Sequence, residues 1–236
     1  MEMRKALILA AGRGTRMGEH TRSTPKALLD LNGRPMLHYI LDRLQHAGIE
    51  DVLIITGFLA DQIEAAAGKH PLSPTFLRQE PLNGTGSAAL LAKSWAAEDD
   101  FLLTFGDILT ESENYSAMAE KKKTTDAVLG VRFVDDPYQG AAVYADANAR
   151  VSRVIEKPPI GSSTTNWNSA GVYAFGPSLF DELARVPLSP RGEYELTSAI
   201  TQLLDQGANI VLHSLSGDWL DVGRPEDLER ARALTR

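Results

Sequence analysis

The hydrophobic pattern of the chain alternates between two periods. Short unbroken apolar runs, ALILA (6–10), DVLIIT (51–56), FLLTF (101–105) and DAVLGV (126–131), read as buried strands. Segments of helical period lie between them. Leu37, Ile40, Leu41 and Leu44 follow the i, i+3, i+4, i+7 spacing, with Pro35 suited to the first turn and Gly48 to the stop. Ala88, Leu91, Ala92 and Trp95 repeat that spacing. Alternating strand and helix predict an α/β domain with a largely parallel sheet. Parallel strands need crossovers, and the crossover helices cover both faces.

Beyond residue 132 the pattern changes. AAVYADANARVSRVIEKP (141–158) reads as two strands joined by a turn, a small antiparallel excursion, and GVYAF (171–175) as a further strand. Leu196, Ala199, Ile200 and Leu203 predict a helix ending near Gly207, followed by a strand at NIVLHS (209–214). Residues 225–234 predict a last helix, with Pro225 near its start. PPIGSSTTN (158–166) is expected to be a loop, and Lys121, Lys122 and Lys123 a solvated helix end. Neither a repeat nor a clear linker divides the chain, so a single domain over 1–236 is expected.

Composition narrows the function classes. The chain has 236 residues, 43% of them hydrophobic, enough for a large core. It has no cysteine, which excludes disulfides and thiolate zinc sites and fits a reducing cytoplasm. No apolar run approaches the ~20 residues that span a bilayer, and Met1 to Lys5 leads into ALILAA without a signal-peptide pattern. Neither membrane nor nucleic-acid binding is expected, the latter because net charge is −7. Yet Arg4, Lys5, Arg13, Arg16, Arg22 and Lys26 crowd the first 26 residues against Glu2 and Glu19. A local basic cluster in an acidic chain suggests a small anionic ligand.

The first apolar run ends in GRGTRMG (12–18), where a strand, glycines and an expected helix could cradle a phosphate on exposed backbone N–H groups. The dinucleotide fingerprint G-x-G-x-x-G fails because its third position is Met17, and the P-loop fails because Met17 stands where its second glycine belongs. Taken alone, the loop is a glycine turn leaving a buried strand.

Its surroundings say more. GRGTRMGEHTRSTPKALLDLNGRP (12–35) resembles the signature of nucleotidylyltransferases that join a nucleoside triphosphate to a sugar 1-phosphate: G-x-G-T-R at Gly12 to Arg16, then P-K at Pro25-Lys26. The resemblance runs from Leu7 to Leu228. It implies a three-layer α/β/α Rossmann-like fold with a mostly parallel mixed sheet. It also implies that Leu9, Ala10, Ala11, Gly12, Gly14, Thr15 and Arg16 lie along the nucleotide. Glycines let the backbone approach a triphosphate, arginine chelates phosphate oxygens with a planar fork, and lysine offers a compact charge. Arg13 and Arg22 stay unassigned.

Further segments extend the resemblance. FLLTFGDIL (101–109) puts Asp107 after a strand, where ligands gather in open α/β sheets. WLDVGRPEDL (219–228) matches the family's W-x-D-x-G-x-P-E-D-L segment, with Arg224 in place of the usual threonine. Asp107 and Asp221 are thereby implied as magnesium ligands. Asp218 is expected in the preceding turn, and Asp227 to face solvent in the last helix. RQEPLNGTGSAALLA (78–92) resembles the base segment of uridylyl- and thymidylyltransferases, with Gln79, Gly84 and Thr85 at the matching spacing and Asn83 departing from the pattern. A side-chain amide can donate to and accept from the imide edge of uracil or thymine. Gly140, the Glu156-Lys157 pair and Asn168 match the sugar-contacting positions; Glu195 also recurs in relatives and is left without a substrate role.

The implied reaction is a single displacement. A sugar-phosphate oxygen attacks the α-phosphorus and pyrophosphate leaves. Lys26 and Lys157 would stabilise the crowded oxygens with the metal on Asp107 and Asp221, and the glycine loop with Arg16 would hold the departing pyrophosphate. UTP or dTTP is favoured, with a glucose- or N-acetylhexosamine-type sugar. Alternatives are a guanylyl- or cytidylyltransferase with other substrates and a non-catalytic subunit that senses sugar nucleotides. The chain ends eight residues after WLDVGRPEDL, so no β-helical acyltransferase domain is expected, and homo-oligomerisation stays open.

Overall fold

The computed structural model describes residues 2–235. In chain order its strands are β1 (Lys5–Leu9), β2 (Asp30–Leu31), β3 (Arg34–Pro35), β4 (Asp51–Thr56), β5 (Thr75–Arg78), β6 (Phe101–Phe105), β7 (Ile108–Thr110), β8 (Ala127–Phe133), β9 (Ala141–Ala145), β10 (Val151–Glu156), β11 (Trp167–Phe175), β12 (Ile210–Ser214) and β13 (Trp219–Asp221). The α-helices are α1 (Met36–His46), α2 (Ala60–Ala67), α3 (Thr85–Leu90), α4 (Lys93–Ala96), α5 (Ser112–Lys122), α6 (Ser178–Leu183), α7 (Leu196–Asp205) and α8 (Asp227–Leu234).

Among the described residues, nine strands form the main sheet. The parallel set β6-β1-β4-β5 is its first half; the apolar runs predict β6, β1 and β4, while the short, largely exposed β5 carries no such run. From β6 the sheet continues through antiparallel β11, which pairs with β8 and β9; β9 and β10 are the predicted antiparallel hairpin, and β12 lies parallel to β8. Side chains alternate across each strand. Ala6 and Ile8 therefore join the apolar layer under α1 and α8, while Leu7 and Leu9 join the layer under α3, α6 and α7. This is the expected three-layer α/β/α arrangement. No helix of the described residues is long and apolar enough to cross a membrane.

Three local expectations change. The glycine loop opens into a 3-10 turn, Thr15–Thr21, with non-helical backbone at Gly18, rather than a helix. The helical period over 88–95 is split between α3 and α4, with Ala97 at φ +51° closing the second. Lys122 is buried instead of solvated: its Nζ donates to Asp100 Oδ1 at 2.8 Å, and a buried ammonium needs such a partner.

Candidate active site

Register brings the site together. Leu9 pairs with Phe105, so the loops after β1 and β6 leave the sheet side by side, and Gly106 N donates to Leu9 O at 2.9 Å. The β6 loop carries Asp107. Antiparallel β7–β13 then places Asp221 opposite Ile108, and Val222 N donates to Asp107 O at 3.0 Å. Two aspartates 114 positions apart in sequence thus become neighbours through a two-strand ladder.

Lys26 lies between them. Its Nζ donates to Asp107 Oδ2 and stands 3.8 Å from Asp221 Oδ1. Asp221 Oδ1 is buried and has no hydrogen-bond partner among the described residues. Burial, reinforced by the neighbouring Asp107 charge, pushes the Asp221 carboxyl up to about 6, against the pull of Lys26 and Arg16. Among the described residues no three acidic, histidine or cysteine side chains form a metal cage. Magnesium does not need one: one or two carboxylates with substrate phosphates suffice. Two convergent carboxylates, one with an unsatisfied buried oxygen, fit that ion.

Two cavities meet at this cluster, sharing Thr85, Phe105, Asp107 and Glu193 as walls. The smaller, about 440 Å³, is lined by Leu9, Ala10, Ala11, Gly12, Gly14, Lys26, Gln79 and Gly84 from the predicted nucleotide set. The larger, about 620 Å³, is lined by Gly140, Glu156, Lys157, Asn168 and Asp221. Arg16 lines this larger cavity, not the smaller, and its guanidinium packs beside Gly223. Thr15 lines neither; it heads the 3-10 turn. Arg13, left unassigned by the sequence, borders the smaller cavity with its guanidinium 5.2 Å from the Phe58 ring centroid.

The base segment is built on Gly84. Its φ of +123° suits glycine, and a Cβ there would lie 2.3 Å from Tyr194 O. Gln79 is buried, and its Nε2 donates to Gly84 O at 2.9 Å and Ser87 Oγ at 2.8 Å. Its amide donors are thus engaged within the protein, which leaves Oε1 as the group with which it can meet a base; the expected two-way contact is reduced to accepting. Thr85 Oγ1 accepts from Leu196 N at 3.0 Å, so it ties the segment to α7 instead of capping its own helix.

In the larger cavity, burial pushes the Glu156 carboxyl up, against the attraction of Arg191. Arg191 bridges Glu156 Oε1 at 3.3 Å and Glu195 Oε1 at 3.0 Å. Gly140 lies tight against Asn168, whose Oδ1 would sit 2.3 Å from a Cβ at that glycine. Sequence reasoning missed Arg191 and Glu193. Their segment has no hydrophobic period, and the one available signal was its density of charge beside Glu195.

The family model for nucleotidyl transferases matches residues 5–236. The chain is 32% identical over 236 residues to the low-salt glycan biosynthesis nucleotidyltransferase Agl11 of Haloferax volcanii, covering 98% of this chain and 65% of that one. It is 32% identical over 234 residues to a glucose-1-phosphate thymidylyltransferase of Streptomyces griseus, with coverage of 98% and 65%. The chain therefore spans just under two thirds of the length of these relatives. Among solved structures, a UDP-glucose pyrophosphorylase complexed with UDP-glucose superposes with a TM-score of 0.88 at 20% identity, covering 99% of this chain and 98% of the other.

Proposed function

The chain belongs to the nucleotidyl transferase family, and on that premise we propose that it makes an NDP-sugar and pyrophosphate from a nucleoside triphosphate and a sugar 1-phosphate. The observation that carries the reading is the meeting of two cavities at Lys26, Asp107 and Asp221. The smaller cavity takes the nucleotide and the larger the sugar phosphate. A sugar-phosphate oxygen forms a bond to the α-phosphorus while the bond to the β-phosphate oxygen breaks, and pyrophosphate carries away the electron pair. The nucleophile is already anionic, so the chain supplies alignment and charge rather than a base.

Lys26 neutralises α-phosphate oxygens, Lys157 holds the attacking phosphate, and the Gly12–Gly14 backbone restrains the departing pyrophosphate, while Arg16, which lines the larger cavity, adds positive charge beside Asp221. Glu156, Asn168 and the Gly140 backbone orient the sugar hydroxyls. Asp107 and Asp221 would hold magnesium, which would supply neutralisation of the charge that develops on the phosphoryl oxygens. Gln79 Oε1 is free to accept from the N3–H of uracil or thymine, and the likeness of residues 78–92 to the base segment of uridylyl- and thymidylyltransferases favours UTP or dTTP, with a glucose- or N-acetylhexosamine-type sugar. The thymidylyltransferase relative supports the pyrimidine reading. The absence of cysteine and of any membrane-crossing helix among the described residues fits cytoplasmic work.

The test is a matrix of nucleoside triphosphates against sugar 1-phosphates with magnesium, scored by pyrophosphate release. Turnover is expected with UTP or dTTP. Silence throughout would refute an enzyme and leave a sugar-nucleotide sensor.

A further inference from the structure

Asp227 opens α8, where it was expected to face solvent. Its side chain is instead only 20% exposed and turned back toward Asp221. Oδ2 accepts from Gly223 N at 3.0 Å and from Arg224 N at 2.8 Å, while Oδ1 lies 3.7 Å from Arg230 Nη1. The amides it holds are the second and third after Asp221. The first, Val222 N, is taken by Asp107 O, and Gly223 N also reaches Asp221 O at 2.9 Å. Up to Asp221 the backbone is fixed by the β7–β13 ladder. Past it, the Asp227 carboxylate closes the turn. The helix presenting that carboxylate is itself anchored: Leu228 and Ala231 are buried in the same apolar cluster as Leu220 and Val222.

We propose that Asp227 is a positioning residue for Asp221: by holding the Gly223 and Arg224 amides it fixes the turn that aims the Asp221 carboxylate at the space shared with Asp107. Asp227 acts through the backbone and need not touch metal or substrate. This inference rests on the reading that Asp107 and Asp221 hold magnesium. An unpinned turn lets Asp221 sample other directions, and supports of metal ligands commonly count for tenfold or more in affinity.

The experiment uses the full chain and Mn²⁺ as probe, with free Mn²⁺ followed by electron paramagnetic resonance, with and without UTP and well below each variant's unfolding temperature. Asp227→Ala should weaken Mn²⁺ binding by about tenfold or more and raise the magnesium needed for half-maximal activity. Asp227→Asn keeps an oxygen that can accept from both amides and should restore most of the affinity. Asp227→Ser keeps a polar side chain but is too short to hold both amides; it should bind Mn²⁺ weakly, and it replaces Asp227→Ala if that variant does not fold. Asp221→Asn separates the two ideas. Wild-type Mn²⁺ affinity in Asp221→Asn would remove the metal reading itself. Weak binding in Asp221→Asn with wild-type binding in Asp227→Ala, or Asp227→Asn no better than Asp227→Ala, would overturn the positioning role alone.

Discussion

Lys157 adopts φ +42°, a conformation that costs a residue with a side chain about 1 kcal/mol or more. The strain has a local cause: its amide donates to Gly140 O at 2.7 Å, closing the β9–β10 end and directing the chain into the larger cavity beside Glu156. A charged hydrogen bond contributes about 1.5–3 kcal/mol, so Lys157→Ala should lose about ten- to 150-fold in kcat/KM. Asp107→Asn should lose more, because it removes charge from the point where both cavities meet. Steady-state pyrophosphate release by folded, purified variants checks both, and near-normal turnover of Asp107→Asn would sink the role assigned to that carboxylate. At this scale sequence reached side chains whose spacing is tied to a motif, such as Lys26, Asp107 and Asp221. It missed side chains whose role comes from the turn they close. Asp227 reads as a solvated helix residue until its partners, the Gly223 and Arg224 amides, are seen folding back onto it.

Elements were legible where burial is one-sided or complete. Apolar runs marked β1, β4, β6 and β8, and the 3.6 period marked α1 and α7. The 3-10 turn after the glycine loop was not legible, because Gly14 and Gly18 both take positive φ and stop a helix that the strand-loop-helix analogy suggests. How elements are tied is equally hidden from periodicity. Asp42 of α1 accepts from Arg34 Nη2 of β3 at 2.9 Å and from buried His70, beyond α2, at 2.9 Å. Burial raises the Asp42 carboxyl, but the His70 and Arg34 bonds outweigh it, so its pKa falls below the usual 3.8. A depressed acid contributes stability that is present above its unfolded pKa and lost as pH falls through the folded value. Asp42→Asn should therefore cost about 1 kcal/mol at pH 7. The cost should hold down to about pH 4 and shrink only below it, toward the folded pKa. Urea unfolding across that range tests this; a gap that persists unchanged to acid unfolding would show that Asp42 contributes packing rather than charge.

At the scale of the whole molecule, the sheet divides labour between its two ends. The parallel strands β1, β5 and β6 deliver loops to the smaller cavity, while β9, β10 and β11 wall the larger one, and Phe105 with Asp107 stands between them. A perturbation confined to the hairpin end should then separate the substrates kinetically. Gly140 offers one: a Cβ there would meet Asn168 Oδ1 at 2.3 Å, and Asn168, whose Nδ2 is held by Ser169 O at 2.9 Å, must turn away. Gly140→Ala should raise the KM for sugar 1-phosphate by about tenfold, the worth of one displaced hydrogen-bonding group. Gln79, Gly84 and Lys26 lie on the other side of Phe105, so the KM for the nucleoside triphosphate should stay close to wild type. The division predicts a specific failure as well. If Gly140→Ala raised both KM values together, the two cavities would act as one deformable site, and binding of either substrate would have to be described as a property of the whole sheet.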